Sequence, residues 1–194
     1  MSVNRQLSLF GVEASPPDPA DLAGLVVAGA ELDRRDGAVR ASIAVDDPWR
    51  ASALVLECAR RALAATSVPA VGGQVVVRTA YTGRLVPLAD AWRDAYGPRP
   101  PAGFLLDGRM LRLWVIATGR FEPPGVAYAL ALGPAAVPEQ VGGALAAIGL
   151  GAALVSPRGG RGVRFRLVGR RRVARLAELV GEPPAQAPER VWPS

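Results

Sequence analysis

The chain has 194 residues, half of them hydrophobic, which is enough to bury a core in one compound domain or in two small halves. Its formal net charge of +6 favours a polyanionic partner. The absence of histidine and lysine excludes imidazole bases, HExxH zinc sites, Schiff bases and P-loops, so only carboxylates with a divalent cation remain as candidate catalysts.

Regular elements begin after a tail, residues 1–17, that ends in two prolines. Asp18 or Asp21 is predicted to cap a helix that runs through Leu22 to about Ala30. The next predicted elements are strands over 31–35 and 39–45 joined by a turn at 34–37, a helix over 49–65, strands over 68–71 and 75–81, and a helix over 84–96.

The rest of the chain is predicted to repeat this order. The elements are a short helix over 101–106, strands over 110–118 and 126–132, a helix over 138–148, strands over 152–156 and 163–168, and a helix over 170–180. We therefore predict an α+β fold of tandem duplicated αββαββα repeats, 18–97 and 98–182, followed by a proline-rich tail, 183–194. Chance similarity between two ordinary α+β segments is the alternative.

Each predicted repeat opens on small and apolar residues. Residues 22–30 are LAGLVVAGA, and residues 101–109 are PAGFLLDGR. Both resemble the LAGLIDADG motif of homing endonucleases, whose two αββαββα halves pack their motif helices at a pseudo-twofold axis and form a saddle from two antiparallel sheets. The resemblance implies a close helix crossing at Gly24 and Gly103. An ordinary Ala/Gly-rich helix in an Ala/Gly-rich protein is the alternative.

The metal-binding acid of that family stands at the eighth motif position, where this sequence has Gly29 and Gly108. The resemblance therefore implies a DNA-binding saddle without nuclease chemistry, as in the LAGLIDADG-like domains of some bacterial transcription regulators. No cofactor or metal is expected. A metal-dependent endonuclease that uses displaced acids is the alternative, with Asp21, Glu31 and Asp107 as candidates, although a shift of one residue on a helix turns a side chain by about 100 degrees.

In this family the outward strand positions face the DNA groove and should carry arginine. Arg164 and Arg166 alternate with apolar residues, which predicts that both lie on one face of a strand. From residue 158 to 175 there are eight arginines and no acid, which favours phosphate contact over a solvated face without a ligand. The predicted DNA-binding residues are Arg40, Arg78, Arg112, Arg158, Arg161, Arg164, Arg166, Arg170, Arg171 and Arg172.

The N-terminal tail contains the pentapeptide Gln6, Leu7, Ser8, Leu9 and Phe10. It resembles the peptide that binds the bacterial DNA polymerase sliding clamp, in which the glutamine hydrogen-bonds at the pocket edge and the Leu-Phe pair fills an apolar cleft. An exposed tail suits this mode of binding. The alternative is that Leu7, Leu9 and Phe10 pack on the core of this protein as an added strand.

Together these features predict a monomer with an internal pseudo-twofold that binds double-stranded DNA, as a replication or repair accessory factor tethered to the sliding clamp. With one cysteine, no recognisable signal segment and no apolar run of about 18 residues, we expect a cytoplasmic, nucleoid-associated protein without a membrane role. A transcription regulator or a chromosome-associated protein, with the tail packed on its own core, is the alternative.

Overall fold

A computed structural model describes residues 15–94, 97–123, 126–156, 162–188 and 190–194. The pentapeptide at 6–10, Arg158 and Arg161 lie outside these residues. Among the helices in the described ranges, none combines the length and the apolar character needed to cross a bilayer.

The first helical segment among the described residues is capped at its 3-10 turn by Asp18, one of the two predicted candidates. This short 3-10 turn, Pro19–Leu22, leads into α1 (Ala23–Ala28), which itself has no side-chain cap. Asp18 and Asp21 form a capping box, because the Asp18 side chain accepts from the Ala20 N–H and the Asp21 carboxylate accepts from the Asp18 N–H. The helix ends at Gly29, whose φ of 112° lies in the left-handed region that favours glycine.

Two hairpins and two helices complete the first half. The elements are β1 (Glu31–Arg35), β2 (Ala38–Val45), α2 (Pro48–Arg60), β3 (Ala65–Pro69), β4 (Val75–Thr79) and α3 (Val86–Ala91). Asp36 and Gly37, which both have positive φ, turn the first hairpin as predicted. Helix α3 is shorter than predicted, because the chain next forms β5 (Arg93–Asp94) and β6 (Gly97–Pro98), which pair with each other.

The second half has the same order of elements. They are α4 (Gly108–Thr118), β7 (Arg120–Phe121), β8 (Ala127–Ala131), α5 (Pro138–Ala147), β9 (Ala153–Val155), β10 (Arg164–Val168) and α6 (Arg170–Val180). The predicted helix over 101–106 and strand over 110–118 are both wrong, because 110–118 belongs to helix α4. Residues 111 and 113–116 are all at most 1% exposed, and a continuous buried apolar run does not distinguish a helix from a strand.

Each half contributes one four-stranded antiparallel sheet. The strand order is β1-β2-β4-β3 in the first sheet and β7-β8-β10-β9 in the second, so the two sheets have equivalent topology. The predicted duplicated αββαββα order is thereby confirmed. One face of each sheet covers the helices, and we call the opposite face the outer face.

Helices α1 and α4 pack directly against each other between the two halves. Gly24 of α1 makes this approach possible, because a Cβ at residue 24 would overlap the Met110 carbonyl oxygen of α4. The predicted partner Gly103 is wrong: it lies in a turn before α4. The C-terminal residues fold back on the core, where Trp192 is buried and its Nε1 donates to the Gly181 carbonyl at 2.9 Å.

Candidate nucleic-acid interface

The outer face of the first sheet is polar. Alternate residues of β2 are buried from Val39 to Val45, which places Arg40 and Ser42 on the outer face. Arg78 of β4 pairs with Ser42 in the sheet and is exposed. A concavity of about 560 Å³ lies over this face, and Arg40, Ser42 and Arg78 are among its lining residues.

Arg40 is held on this face by an acid and an aromatic ring. Its Nη2 donates to Asp33 Oδ2 of β1 at 2.9 Å, and its guanidinium lies 4.6 Å from the centre of the Tyr81 ring. The Tyr81 hydroxyl also donates to Asp33. This hydrogen bond lowers the pKa of Asp33 and raises the pKa of Tyr81, so the carboxylate stays charged and partners Arg40.

The outer face of the second sheet carries the arginines of β10. Phe165 and Leu167 are buried, whereas Arg164 and Arg166 lie on the outer face, which confirms the predicted alternation. The residues opposite them on β8 are Ala131 and Ala129. Because alanine is short, the arginine stems have room to lie across the sheet.

Glu122 partners both arginines and was missed by the sequence analysis. Arg164 Nε lies 2.7 Å from Glu122 Oε1 in an ion pair, but its N–H is not aligned for a hydrogen bond. Arg166 Nε donates to Glu122 Oε2 at 3.1 Å. The interpretation that this arginine cluster has no compensating acid is therefore wrong for these two residues. Alternation of Arg120 and Glu122 around the inward Phe121 is the signal that could have revealed this acid.

Three further predicted arginines, at positions 170–172, are exposed in the first turn of α6. Arg172 Nη1 donates to the Val168 carbonyl at 3.0 Å. Since α6 begins two residues after β10 ends, these exposed arginines lie close in the chain to Arg164 and Arg166.

Arg112 does not lie on an outer face, so its predicted role is wrong. It belongs to helix α4 and is only 7% exposed. Its Nε donates to Glu57 Oε1 of α2 at 2.8 Å, and its Nη1 donates to the Val180 carbonyl at 2.8 Å. Glu57 also accepts from buried Arg61 at 2.8 Å. Arg112 therefore connects α4 of the second half with α2 of the first half in the interior of the protein.

In the second motif, the assignment of Gly108 to the position of the metal-binding acid is also wrong. Gly108 begins α4, whereas Gly29 follows the C-terminal end of α1. The position equivalent to Gly29 lies at the end of α4, where Thr118 and Gly119 precede β7. Neither helix has a carboxylate at this end. A side chain on Gly29 would be strained by the φ of 112°, and its Cβ would lie 3.3 Å from the Gly133 Cα, closer than an ordinary contact.

A buried arginine occupies the C-terminal end of α4. Arg50 of α2 donates to the carbonyl oxygens of Ile116 and Gly119, both at 2.6 Å. A cation at this position satisfies carbonyls that have no partner within the helix and complements the helix dipole. Arg50 Nε also pairs with Asp47 at 3.2 Å. The sequence analysis missed this residue.

Of the three acids considered for a displaced nuclease site, Asp21 and Asp107 lie near each other, but Glu31 lies apart from them. Asp21 precedes α1 and Asp107 caps α4, and Arg109 pairs with both, at 3.3 and 3.1 Å. Glu31 lies beyond the other end of α1, at the start of β1. Within the described ranges, no three histidine, cysteine or acidic side chains are grouped as a metal ion would require.

No family model and no curated protein matches the sequence. Among solved structures, the N-terminal LAGLIDADG domain of DUF199/WhiA matches with a TM-score of 0.60 and 12% identity, over 85% of this chain and 82% of that domain. Full-length DUF199/WhiA from Thermatoga maritima has a TM-score of 0.60 and 11% identity, over 85% of this chain and 55% of that protein, so this chain spans about half of its length.

A homing endonuclease has the same architecture. I-WcaI bound to its DNA recognition sequence matches with a TM-score of 0.60 and 9% identity, over 93% of this chain and 90% of that one. Identity this low establishes the fold alone. The chain therefore has the LAGLIDADG-like α+β fold, with two equivalent sheets and two core helices packed against each other.

Proposed function

We propose that the protein binds double-stranded DNA across the outer faces of its two sheets and does not cleave it. The observation that carries this proposal is the position of the arginines. Arg40 and Arg78 lie on the outer face of the first sheet, and Arg164 and Arg166 on that of the second. I-WcaI, which shares the fold, is bound to its DNA recognition sequence, and this supports DNA binding by the same fold here.

The chemistry of these faces suits a duplex. Guanidinium groups form bidentate contacts with phosphate and with guanine, and β-strands fit the major groove. The exposed arginines at 170–172 extend the basic surface beyond the sheet, where a bound duplex would present its backbone. Each phosphate that is neutralised releases a counterion, so binding should weaken steeply with salt.

The proposal that the protein does not cleave DNA is supported by the residues at the C-terminal ends of the core helices α1 and α4. Gly29 and Gly119 have no side chain, and Thr118 has no carboxylate. Arg50 brings a positive charge to the end of α4, which disfavours a metal ion at that point. The protein holds DNA without the acids that a metal-dependent nuclease needs.

The N-terminal peptide extends this proposal to a replication or repair accessory factor. Residues 6–10 bind the sliding clamp while the sheets hold DNA, and the two contacts reinforce each other through effective concentration. The Pro16 carbonyl accepts from Arg109, in the first turn of α4. Helix α4 is 11 residues long, so the tail joins the fold about 16 Å from the end of α4 at which β7 begins. This separation favours simultaneous binding of clamp and DNA.

The test is fluorescence anisotropy with a labelled duplex and the full chain, titrated at several salt concentrations with and without purified sliding clamp. We expect salt-dependent binding of the duplex and a larger complex when clamp is added. No binding of any duplex at low salt would contradict the proposal. DNA binding without a clamp complex would contradict only the tether.

A further inference from the structure

We propose that Arg164 and Arg166, which we call the arginine pair, form a guanine-recognition element in which Glu122 is the positioning residue. This inference rests on the proposed DNA binding and adds a base preference to it. Its basis is a single carboxylate that holds two arginines at once on the outer face of the second sheet.

The contacts with Glu122 leave the Nη1 and Nη2 groups of both arginines available to bind DNA. Glu122 engages each guanidinium at Nε, with one carboxylate oxygen for each arginine, at 2.7 and 3.1 Å. Among the residues that the structure describes, neither guanidinium has another hydrogen bond or ion pair. The Nη1 and Nη2 donors therefore remain free to bind O6 and N7 of guanine as a pair.

Restricted motion favours base recognition over a loose phosphate contact. The side chains of Arg164 and Arg166 are 21% and 32% exposed, so both are partly buried before DNA binds. A fixed guanidinium loses less conformational entropy when it forms two defined hydrogen bonds. A phosphate contact tolerates a mobile cation, and the exposed arginines at 170–172 suit that purpose.

The position of the arginine pair in the sheet also favours contact with base edges in the DNA groove over contact with the phosphate backbone. Strand β10 is an inner strand of its sheet, between β8 and β9. The neighbouring outer positions are Ala129 and Ala131 on β8 and Ala153 and Val155 on β9. Their side chains are apolar and offer no hydrogen bonds that compete for base edges. Residues two apart on a strand are about 6.8 Å apart, which is about two base-pair steps of 3.4 Å.

The test is selection from a duplex library with a randomised centre, using the full chain, followed by sequencing of the bound DNA. We expect the wild type to enrich guanine at two positions about two base pairs apart, each by about tenfold or more, as is usual for bidentate contacts. Glu122→Gln should bind unselected duplex as tightly as the wild type or more tightly, because a negative charge is removed, but its guanine enrichment should fall to near background.

Two further variants distinguish the effect of guanidinium geometry from the effect of net charge. They also allow for the case in which Glu122→Gln does not fold. Arg166→Lys keeps the positive charge but has no planar fork, so it should lose enrichment at one of the two positions and keep the salt dependence. Glu178→Gln removes an exposed acid from α6 and makes the same change in net charge, so its enrichment should match the wild type. If Glu122→Gln does not fold, Arg166→Lys decides the question.

The outcomes distinguish this inference from the proposed function. Binding of duplex by the wild type without guanine enrichment would overturn the arginine pair and leave DNA binding intact. Guanine enrichment that persists unchanged in Glu122→Gln would overturn the positioning role of Glu122. Failure of the wild type to bind any duplex at low salt would overturn both.

Discussion

Gly24 of α1 and Met110 of α4 are in backbone contact, so close that a Cβ on Gly24 would overlap the Met110 carbonyl oxygen. Glycine is required here for close approach, since Gly24 is part of a regular helix and does not have a positive φ. This contact joins α1 of the first half to α4 of the second half.

Gly24→Ala should destabilise the protein, because either α1 or α4 must move to make room for the methyl group. We expect a loss of about 1–3 kcal/mol in the free energy of unfolding, the usual range for overpacking a core. Gly143→Ala is the matched control: Gly143 lies in α5 with nothing near the added Cβ, so the helix should gain about 0.5–1 kcal/mol. Urea unfolding checks both, and equal midpoints for the two variants would contradict the account of the crossing.

Sequence patterns predicted those elements that depend on local chemistry. The turn at Asp36 and Gly37 and the alternation of Arg164 and Arg166 were correct, because turn residues and a two-residue period are visible in a short window. Helix α4 was predicted as a strand because residues 111–117 are all buried, and a continuous buried run does not distinguish a helix from a strand. The same error placed Arg112 on a sheet surface instead of in the core.

The arginine pair required information that no local pattern contains. Glu122 reaches Arg164 and Arg166 only because β7 and β10 both pair with β8, and strand pairing between distant segments depends on the whole fold. The hydrogen bonds that Arg50 donates to carbonyl oxygens at the end of α4 depend likewise on packing between the two halves. Long-range contacts of this kind therefore escaped the sequence analysis.

Glu57→Gln should destabilise the protein strongly, because it removes the charge that partners two buried arginines. Glu57 accepts from Arg61 and Arg112, both at 2.8 Å, and all three side chains are buried. Breaking a buried ion pair by removing one charge costs about 3–5 kcal/mol. Urea unfolding at pH 7 provides the measurement, and a loss below about 1 kcal/mol would show that these charges are solvated or partnered otherwise.

The effect of Glu57→Gln should also depend on pH. Burial alone would raise the pKa of Glu57, but the hydrogen bonds from Arg112 and Arg61 outweigh it, so the pKa is lowered. A carboxyl group with a lowered folded-state pKa stabilises the fold above its ordinary pKa, and this contribution is lost as pH falls through the folded-state value. The difference between wild type and variant should thus be largest at neutral pH and shrink in acid. A constant difference would contradict the assignment.

The protein should not nick or cut duplex DNA with magnesium or manganese. Gly29 and the Thr118–Gly119 pair occupy the ends of the core helices, and none of them supplies a carboxylate. Conversion of supercoiled plasmid to nicked or linear DNA is the assay, with an added restriction enzyme to show that the buffer permits cleavage. Metal-dependent nicking that disappears in Glu31→Gln would show that a displaced acid supports catalysis.

Substitution of both Leu9 and Phe10 by alanine should abolish clamp binding and leave folding unchanged. Each buried side chain of this kind contributes roughly 1.5–3 kcal/mol, and a short peptide has few other anchors, so a micromolar interaction should become undetectable. Clamp affinity and melting temperature are measured on the same double variant, with Ser8→Ala as the control. A lower melting temperature together with no clamp binding by the wild type would instead show that these side chains pack on the protein's own core.

Duplex binding by a charge-matched pair of double variants is the most direct test of the central claim. Arg164→Ala with Arg166→Ala removes two arginines from the outer face of the second sheet, and Arg60→Ala with Arg84→Ala removes two exposed arginines from the helical side. If DNA lies across the outer faces, the first variant should bind at least tenfold more weakly and show a shallower salt dependence, because fewer counterions are released. The second should stay close to the wild type. Equal losses in both variants would show that only net charge matters and would contradict binding across the outer faces.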